Sequence, residues 1–130
     1  MSGLSEGQVP VALTLHGRSR ELELSYADGT AYRIPFELMR VCSPSAEVRG
    51  HGPGQEVLVT GKARVTIESL EPVGRYAVRP RFSDGHDSGL FTWAFLRELG
   101  ERREQLWADY ERRLALAGGS REPPVMPGSD

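Results

Sequence analysis

Apolar and polar residues alternate in two stretches near the amino terminus, with the apolar positions at Val11, Leu13, Leu15, Leu22, Leu24 and Tyr26. A period of two is typical of a β-strand that has one face in the core and the other in solvent. A third strand is predicted over residues 31–35. It follows the strong hairpin turn Asp28-Gly29 and ends at Pro35, which has no N–H to donate to a neighbouring strand. The first part of the chain is therefore expected to form three strands joined by tight turns.

The middle of the chain shows weaker alternation. It predicts two strands, over residues 64–71 and 75–82, joined by a link that contains both a proline and a glycine. A short last strand is expected over residues 89–91. Residues 36–41 are long enough for one helical turn, whereas residues 42–54 are rich in Ser, Pro and Gly and are expected to form a long ordered loop.

From Thr92 onwards the period changes to that of a helix. Apolar residues recur on one predicted helical face, at Trp93, Leu96, Leu99, Leu106, Tyr110, Leu114 and Ala117. Thr92 is a suitable N-cap, Gly100 is expected to break or kink the helix, and Gly118-Gly119 is expected to end it. Strands followed by helices predict an α+β fold, a small antiparallel or mixed β-sheet domain with a C-terminal amphipathic helical segment.

Length and composition place these elements in one domain. The chain has 130 residues, of which 38% are hydrophobic and 26% charged, which suffices for a single core. We expect a flexible amino terminus over residues 1–8 and one domain over residues 9–117. Residues 118–130 contain three prolines and three glycines and are expected to be a disordered tail.

Charge and cysteine content restrict the partners and the compartment. A net charge of −2 argues against nucleic acid as the main partner, and no run of about 20 apolar residues could span a membrane. The single cysteine, Cys42, cannot form an internal disulfide and suits the reducing cytoplasm. The amino terminus also lacks the basic and then apolar pattern of a secretion signal. These features predict a cytoplasmic protein.

The common catalytic motifs are missing from the sequence. The three histidines are not arranged as HExxH, and neither a phosphate-binding GxxxxGK[ST] or GxGxxG nor a nucleophile elbow GxSxG occurs. We therefore expect a protein that acts by binding and is not an enzyme, with no cofactor.

Two glycine-rich loops, residues 49–54 and 84–89, carry polar side chains suited to recognition. The expected interaction surface consists of Arg40, Arg49, His51, Asp84, His86, Asp87 and Trp93. Three other interpretations remain open. In the first, the glycines only shape connecting loops; in the second, the two aspartates only shape a turn to which His86 bonds locally. Alternatively, His86 binds a divalent metal with Asp84 or Asp87, together with His51 or Cys42.

Three segments carry a family resemblance, IPFELMRV at residues 34–41, SPSAEVRGHGPG at residues 43–54 and FSDGHDSGLFTW at residues 82–93. They resemble a bacterial domain of unknown function related to the N-terminal domain of gamma-butyrobetaine hydroxylase, over residues 11–116. The resemblance implies a sheet-rich α+β fold with a C-terminal helical segment. In the hydroxylases this domain precedes a larger catalytic domain with iron and 2-oxoglutarate, which has no counterpart in this sequence.

The resemblance also implies a structural zinc site, with three cysteines and one histidine as ligands. The cysteine positions correspond here to Ser43, Ser45 and Val48, the histidine corresponds to His86, and Cys42 falls one residue before the first ligand. Hydroxyl groups are poor zinc ligands beside thiolates, and valine offers none. We therefore expect the family's zinc to be lost.

Three functional hypotheses follow. The first is an accessory or docking domain, linked through related domains to iron–sulfur cluster carriers, although one thiol cannot hold a cluster unaided. The second is a metal-binding protein that uses His86 with nearby Asp or His residues. The third is a regulatory subunit for a separately encoded 2-oxoglutarate oxygenase.

Overall fold

The structure is a computed structural model that describes residues 9–45, Val48 and residues 57–123. The described elements are β1 (Ala12–His16), β2 (Glu21–Ser25), β3 (Ala31–Pro35), α1 (Phe36–Val41), β4 (Ile67–Val73), β5 (Ala77–Phe82), β6 (Phe91–Thr92), α2 (Trp93–Glu101) and α3 (Arg103–Ala117). The predicted α+β fold is confirmed. The strands of this part of the chain form two antiparallel three-stranded sheets, ordered β1-β2-β3 and β4-β5-β6.

The first sheet follows directly from the alternating pattern. In its central strand, Leu22 and Leu24 are fully buried, because they lie on the same face of β2 and belong to the hydrophobic core. Tight turns join the strands, and Gly29 has a φ of +89°, which glycine adopts without strain. The three predicted strands and the helical turn Phe36–Val41 are confirmed.

The second sheet differs in its boundaries from the prediction. β4 continues to Val73 through Pro72, which pairs with Val78, although the proline predicted a link there. An edge strand tolerates proline because one side of its backbone has no strand partner. The chain then reverses at Gly74, with a φ of +57°. The last strand is Phe91–Thr92, slightly later than the predicted residues 89–91.

The helices pack against both sheets and close the core. The Thr92 side chain accepts a hydrogen bond from the Phe95 N–H, which confirms the predicted N-cap. The break between α2 and α3 lies at Arg102 and not at Gly100, which remains helical. A Cβ at Gly100 would lie 2.6 Å from the Cβ of Tyr32, so this glycine permits a close approach of helix and strand.

The contacts of the domain continue beyond the end of α3. Gly118 ends the helix in the left-handed conformation, as predicted. The next residues turn back, and the carbonyl groups of Ser120 and Arg121 accept hydrogen bonds from the N–H groups of Gly61 and Ala63. The sequence predicts a disordered tail from residue 118, whereas residues 118–123 belong to the described structure. Among the described helices, none is long and apolar enough to cross a membrane.

Candidate functional site

Two polar segments that are distant in sequence meet on one face of the domain. One is residues 40–45, from the last turn of α1 onwards, and the other is the turn at residues 84–90 between β5 and β6. We call this surface the 40/84 face. The side-chain contacts between its segments include Arg40 with Asp84 and Ser43 with His86.

Asp84 is the centre of the first contact. One carboxylate oxygen, Oδ2, accepts hydrogen bonds from Arg40 Nε at 2.8 Å and from Lys62 Nζ at 2.6 Å. The other, Oδ1, accepts from the backbone N–H of His86 at 3.1 Å. Partial burial opposes ionisation, but the hydrogen bonds from Lys62, the His86 amide and Arg40 outweigh it and lower the pKa of Asp84 to about 2. The carboxylate is therefore ionised, and two cations share its charge.

The second contact lies inside the protein. The Ser43 hydroxyl and His86 Nε2 are 2.9 Å apart, and the two residues are only 1% and 6% exposed. A Cβ at Gly89 would overlap the Ser43 hydroxyl, so glycine permits this close approach. The sequence assigned His86 to the interaction surface, but the structure buries its ring against Phe82, with the ring centres 5.9 Å apart. His86 can therefore influence the face only through the turn that it holds.

The four positions that correspond to the family's zinc ligands are all buried, namely Ser43, Ser45, Val48 and His86. The N–H of Val48 donates to the carbonyl of Ser45, so these two residues share one turn. The Ser45 hydroxyl is enclosed without a hydrogen-bond partner. Two hydroxyls, an isopropyl group and one imidazole that already contacts Ser43 do not make a donor set for zinc.

Cys42 does not supply a thiolate ligand in place of the missing cysteines. Burial raises the pKa of its thiol to about 11, so little thiolate is present near neutral pH. Across residues 9–45, 48 and 57–123, no group of three His, Cys, Asp or Glu side chains converges as a metal site.

Of the other predicted surface residues, the structure describes only Asp87 and Trp93. Arg49 and His51 lie outside the described residues, and Asp87 is exposed on the turn. Trp93 is partly buried at the start of α2, where its indole N–H donates to the carbonyl of Arg75 at 2.7 Å. Trp93 thus anchors the turn before β5, while Arg40 and Asp84 form the part of the predicted surface that the structure brings together.

A groove with a mixed polar and apolar lining, which the sequence did not predict, adjoins the 40/84 face. It has a volume of about 440 Å³ and is lined by Pro44, Leu90, Thr92, Ala94, Phe95 and Glu98. Leu90 is 40% exposed, and Glu98 is paired with Arg102 at 2.9 Å. Only an apolar residue inside a polar turn could have indicated this groove from sequence. Lys62 was missed as well, since it contacts Asp84 from a distant loop.

Three solved structures are similar to this chain along most of their length. Two are NMR solution structures. One protein is 49% identical, with a TM-score of 0.77 and coverage of 94% of this chain and 96% of the other. The second is 43% identical, with a TM-score of 0.78 and coverage of 100% and 97%. The third is a crystal structure of a protein of unknown function of the DUF971 family from Acidithiobacillus ferrooxidans, 38% identical, with a TM-score of 0.61 and coverage of 75% and 98%.

A search of curated proteins found no match. The family described as "Gamma-butyrobetaine hydroxylase-like, N-terminal" matches residues 13–97, which include both segments of the 40/84 face. The match confirms the resemblance seen in the sequence. The DUF971 protein is itself described as a protein of unknown function. On this basis, the chain belongs to the gamma-butyrobetaine hydroxylase-like N-terminal family.

Proposed function

We propose that this domain is a non-catalytic docking module that binds a protein partner through the 40/84 face. The observation that carries the proposal is that two segments, joined by side-chain hydrogen bonds, leave Leu90 40% exposed beside a groove of mixed lining. One end of the face carries the cations Arg40 and Lys62 around a single carboxylate. A partner segment with an acidic residue and a nearby apolar side chain would match both ends.

The polar groups of this face favour a structural role over catalysis. Ser43 and His86 have the spacing of a nucleophile and its base, but a substrate carbonyl could not reach a hydroxyl that is 1% exposed. Asp84 is engaged by two cations and by a backbone amide. A serine-reactive phosphonate probe is expected to leave the folded protein unlabelled. Labelling at Ser43 would contradict the non-catalytic assignment.

We further propose that the chain does not hold the family's zinc. The support is the donor set at Ser43, Ser45 and Val48, in which no thiolate remains. Elemental analysis of the purified protein should find no stoichiometric zinc. The triple variant Ser43→Cys/Ser45→Cys/Val48→Cys should gain about one zinc per chain and melt at a higher temperature with the metal. Tight zinc in the unaltered protein would overturn this proposal.

The choice of partner rests on the family resemblance and on composition. The resemblance suggests an iron–sulfur cluster carrier or a separately encoded oxygenase. Either partner would meet this domain in the cytoplasm, where a lone thiol such as Cys42 stays reduced. Affinity purification from the native cell, with metal analysis of the same sample, would identify the partner. Binding should then be remeasured with the purified candidate.

A matched pair of variants tests the surface. Leu90→Asp replaces an exposed apolar side chain of the groove by a charge, whereas Leu116→Asp makes the same change on α3, at a side chain that is 82% exposed. Both variants should fold, because neither side chain is buried. Leu90→Asp should weaken partner binding at least about tenfold, the effect of losing roughly 1.4 kcal/mol, and Leu116→Asp should not. Equal binding by both variants would refute docking at this face.

A metal-dependent function at His86 is the second candidate, and the contacts favour it less. The His86 ring points into the protein toward Ser43, and the Asp84 carboxylate is held by Arg40 and Lys62. Thermal unfolding with Fe(II), Mn(II) or Zn(II) separates the two candidates, because a bound ion raises the melting temperature by mass action. A shift that disappears in Asp84→Asn would favour the metal site.

A further inference from the structure

The free edges of the two sheets are protected to different degrees. An unprotected edge strand offers unpaired N–H and C=O groups to another chain, and proteins block such edges with proline, charge, bulges or short strands. In the described sheets, β4 carries two glutamates, Pro72 and a bulge between Ile67 and Ser69. β6 has only two residues. Both edges of the second sheet are therefore poor templates for strand addition.

The outer edge of β3 is blocked as well. Pro35 lacks an N–H, and the Arg33 carbonyl accepts a hydrogen bond from Arg103 Nη1 at 2.8 Å. Arg103 also lies 3.5 Å from Glu21, which keeps its guanidinium over this edge. A segment that paired with β3 would have to displace these contacts.

The strand β1 has none of these devices. Its sequence, ALTLH, contains no proline, lysine or acidic residue, and among the described strands it pairs with β2 alone. Ala12 and Thr14 are exposed, and Leu15 is 37% exposed although its neighbour across the sheet, Leu22, is fully buried. The apolar row that includes Leu22 therefore continues to Leu15 on β1, the edge strand of the first sheet.

We infer that β1 is a self-association edge, at which two copies of this chain pair antiparallel and join their first sheets into one of six strands. The strand is self-complementary about Thr14. A two-fold axis at Thr14 places Leu13 opposite Leu15 of the second copy, which extends the apolar stripe. It places His16, the one ionisable residue of β1, opposite Ala12, so no like charges face each other.

The association should be weak and dependent on concentration. A pairing of five residues is a small contact beside the roughly 800 Å² per partner of a stable interface. Sedimentation velocity over a series that reaches the millimolar range should show the average sedimentation coefficient rise from the monomer toward the dimer. A protein that stays monomeric throughout would overturn the inference, even if β1 then paired with a different protein.

One substitution separates this edge from other possible interfaces. Thr14→Lys brings two ammonium groups together at the axis, while within one copy residue 14 pairs with Glu23 of β2, so the fold is retained. Ala115→Lys adds the same charge at an exposed position of α3. Thr14→Lys should remain monomeric at every concentration, whereas Ala115→Lys should associate as the unaltered protein does. Association of Thr14→Lys would place the interface elsewhere and refute the inference.

The two-fold register has its own test. Residues on the axis face each other directly, so Thr14→Cys should give a disulfide-linked dimer under mild oxidation. Ala115→Cys serves as the control for random collision. Equal crosslinking of the two variants would contradict the pairing about Thr14.

Discussion

A chain that ends at residue 117 is expected to be less stable than one that ends at residue 123, because the last described residues neutralise a buried carboxylate. Glu37 of α1 is 6% exposed. Arg121 donates to both of its carboxylate oxygens, from Nε at 3.0 Å and from Nη2 at 2.9 Å. The guanidinium also lies over the Trp107 ring, 4.9 Å from its centre. Removal of residues 118–123 therefore leaves a charge without its partner.

The expected loss can be estimated from these contacts. A hydrogen bond to a charged group contributes roughly 1.5–3 kcal/mol, and two such bonds are lost. Arg121 is 43% exposed at its side chain, and Glu37 gains solvent when the segment is removed, so water offsets much of the loss. We expect a net decrease of about 2–3 kcal/mol in the free energy of unfolding. For a domain of this size that is on the order of a 10 °C fall in melting temperature.

Urea unfolding of the two chains measures this difference. The chain ending at residue 117 should unfold at a lower urea concentration than the chain ending at residue 123. Arg121→Met keeps part of the apolar contact with Trp107 and removes the ion pair, so it isolates the charge. Arg64→Met is the control, because Arg64 and Glu122 form an exposed pair 3.7 Å apart that should contribute little. If both chains unfold within about 0.5 kcal/mol of each other, Arg121 does not stabilise Glu37 as argued.

Three further predictions follow from individual side chains. Because the pKa of Asp84 is lowered to about 2, the stability that its carboxylate contributes is complete above about pH 4 and is lost as the pH falls toward 2. In acid unfolding, Asp84→Asn should lose about 1–2 kcal/mol less stability over this range than the unaltered protein. The same pH dependence in both proteins would contradict this. Gly100→Ala should destabilise the protein by about 1–3 kcal/mol in urea unfolding, although alanine is the better helix former, because its Cβ would collide with Tyr32; a gain in stability would refute this packing. The thiol of Cys42, with a pKa of about 11, should react with a disulfide reagent at pH 8 at least about 100-fold more slowly in the folded protein than in urea, and comparable rates would show that it is accessible.

Local patterns predicted the first sheet and the helix ends because their causes lie within a few residues. The alternation around Leu22 and Leu24, the cap at Thr92 and the left-handed end at Gly118 each depend on neighbours in sequence. Where the prediction differed, the cause was a distant residue. Gly100 stays helical and packs against Tyr32, 68 positions earlier in the chain, at a distance that leaves no room for a Cβ. Glu37 and Arg121 are 84 positions apart, and no periodicity connects them.

The candidate site was predicted in part for the same reason. Sequence singled out Arg40 and Asp84 as polar residues of two separate segments, but only the fold shows that they form one ion pair with Lys62. A histidine between two aspartates in a turn indicates a surface residue. His86 is buried because Ser43, 43 positions away, supplies its polar partner in the core. Exposure of a polar turn residue thus depended on a contact that sequence spacing does not reveal.

The two described contacts of the 40/84 face differ in their exposure to solvent. Together they explain how the face stays ordered without thiolate ligands at Ser45 and Val48. The Ser43–His86 contact is buried, so water does not compete for it. It holds the turn at residues 84–90 against the core. The Arg40–Asp84 contact is closer to solvent, with side chains 12% and 22% exposed. It ties the same turn to the end of α1. High salt weakens the second contact more than the first, because only the second is an ion pair that solvent reaches. Partner binding through Leu90 should therefore decline with ionic strength while the domain remains folded, whereas unfolding and loss of binding at the same salt concentration would show that the face has no order of its own.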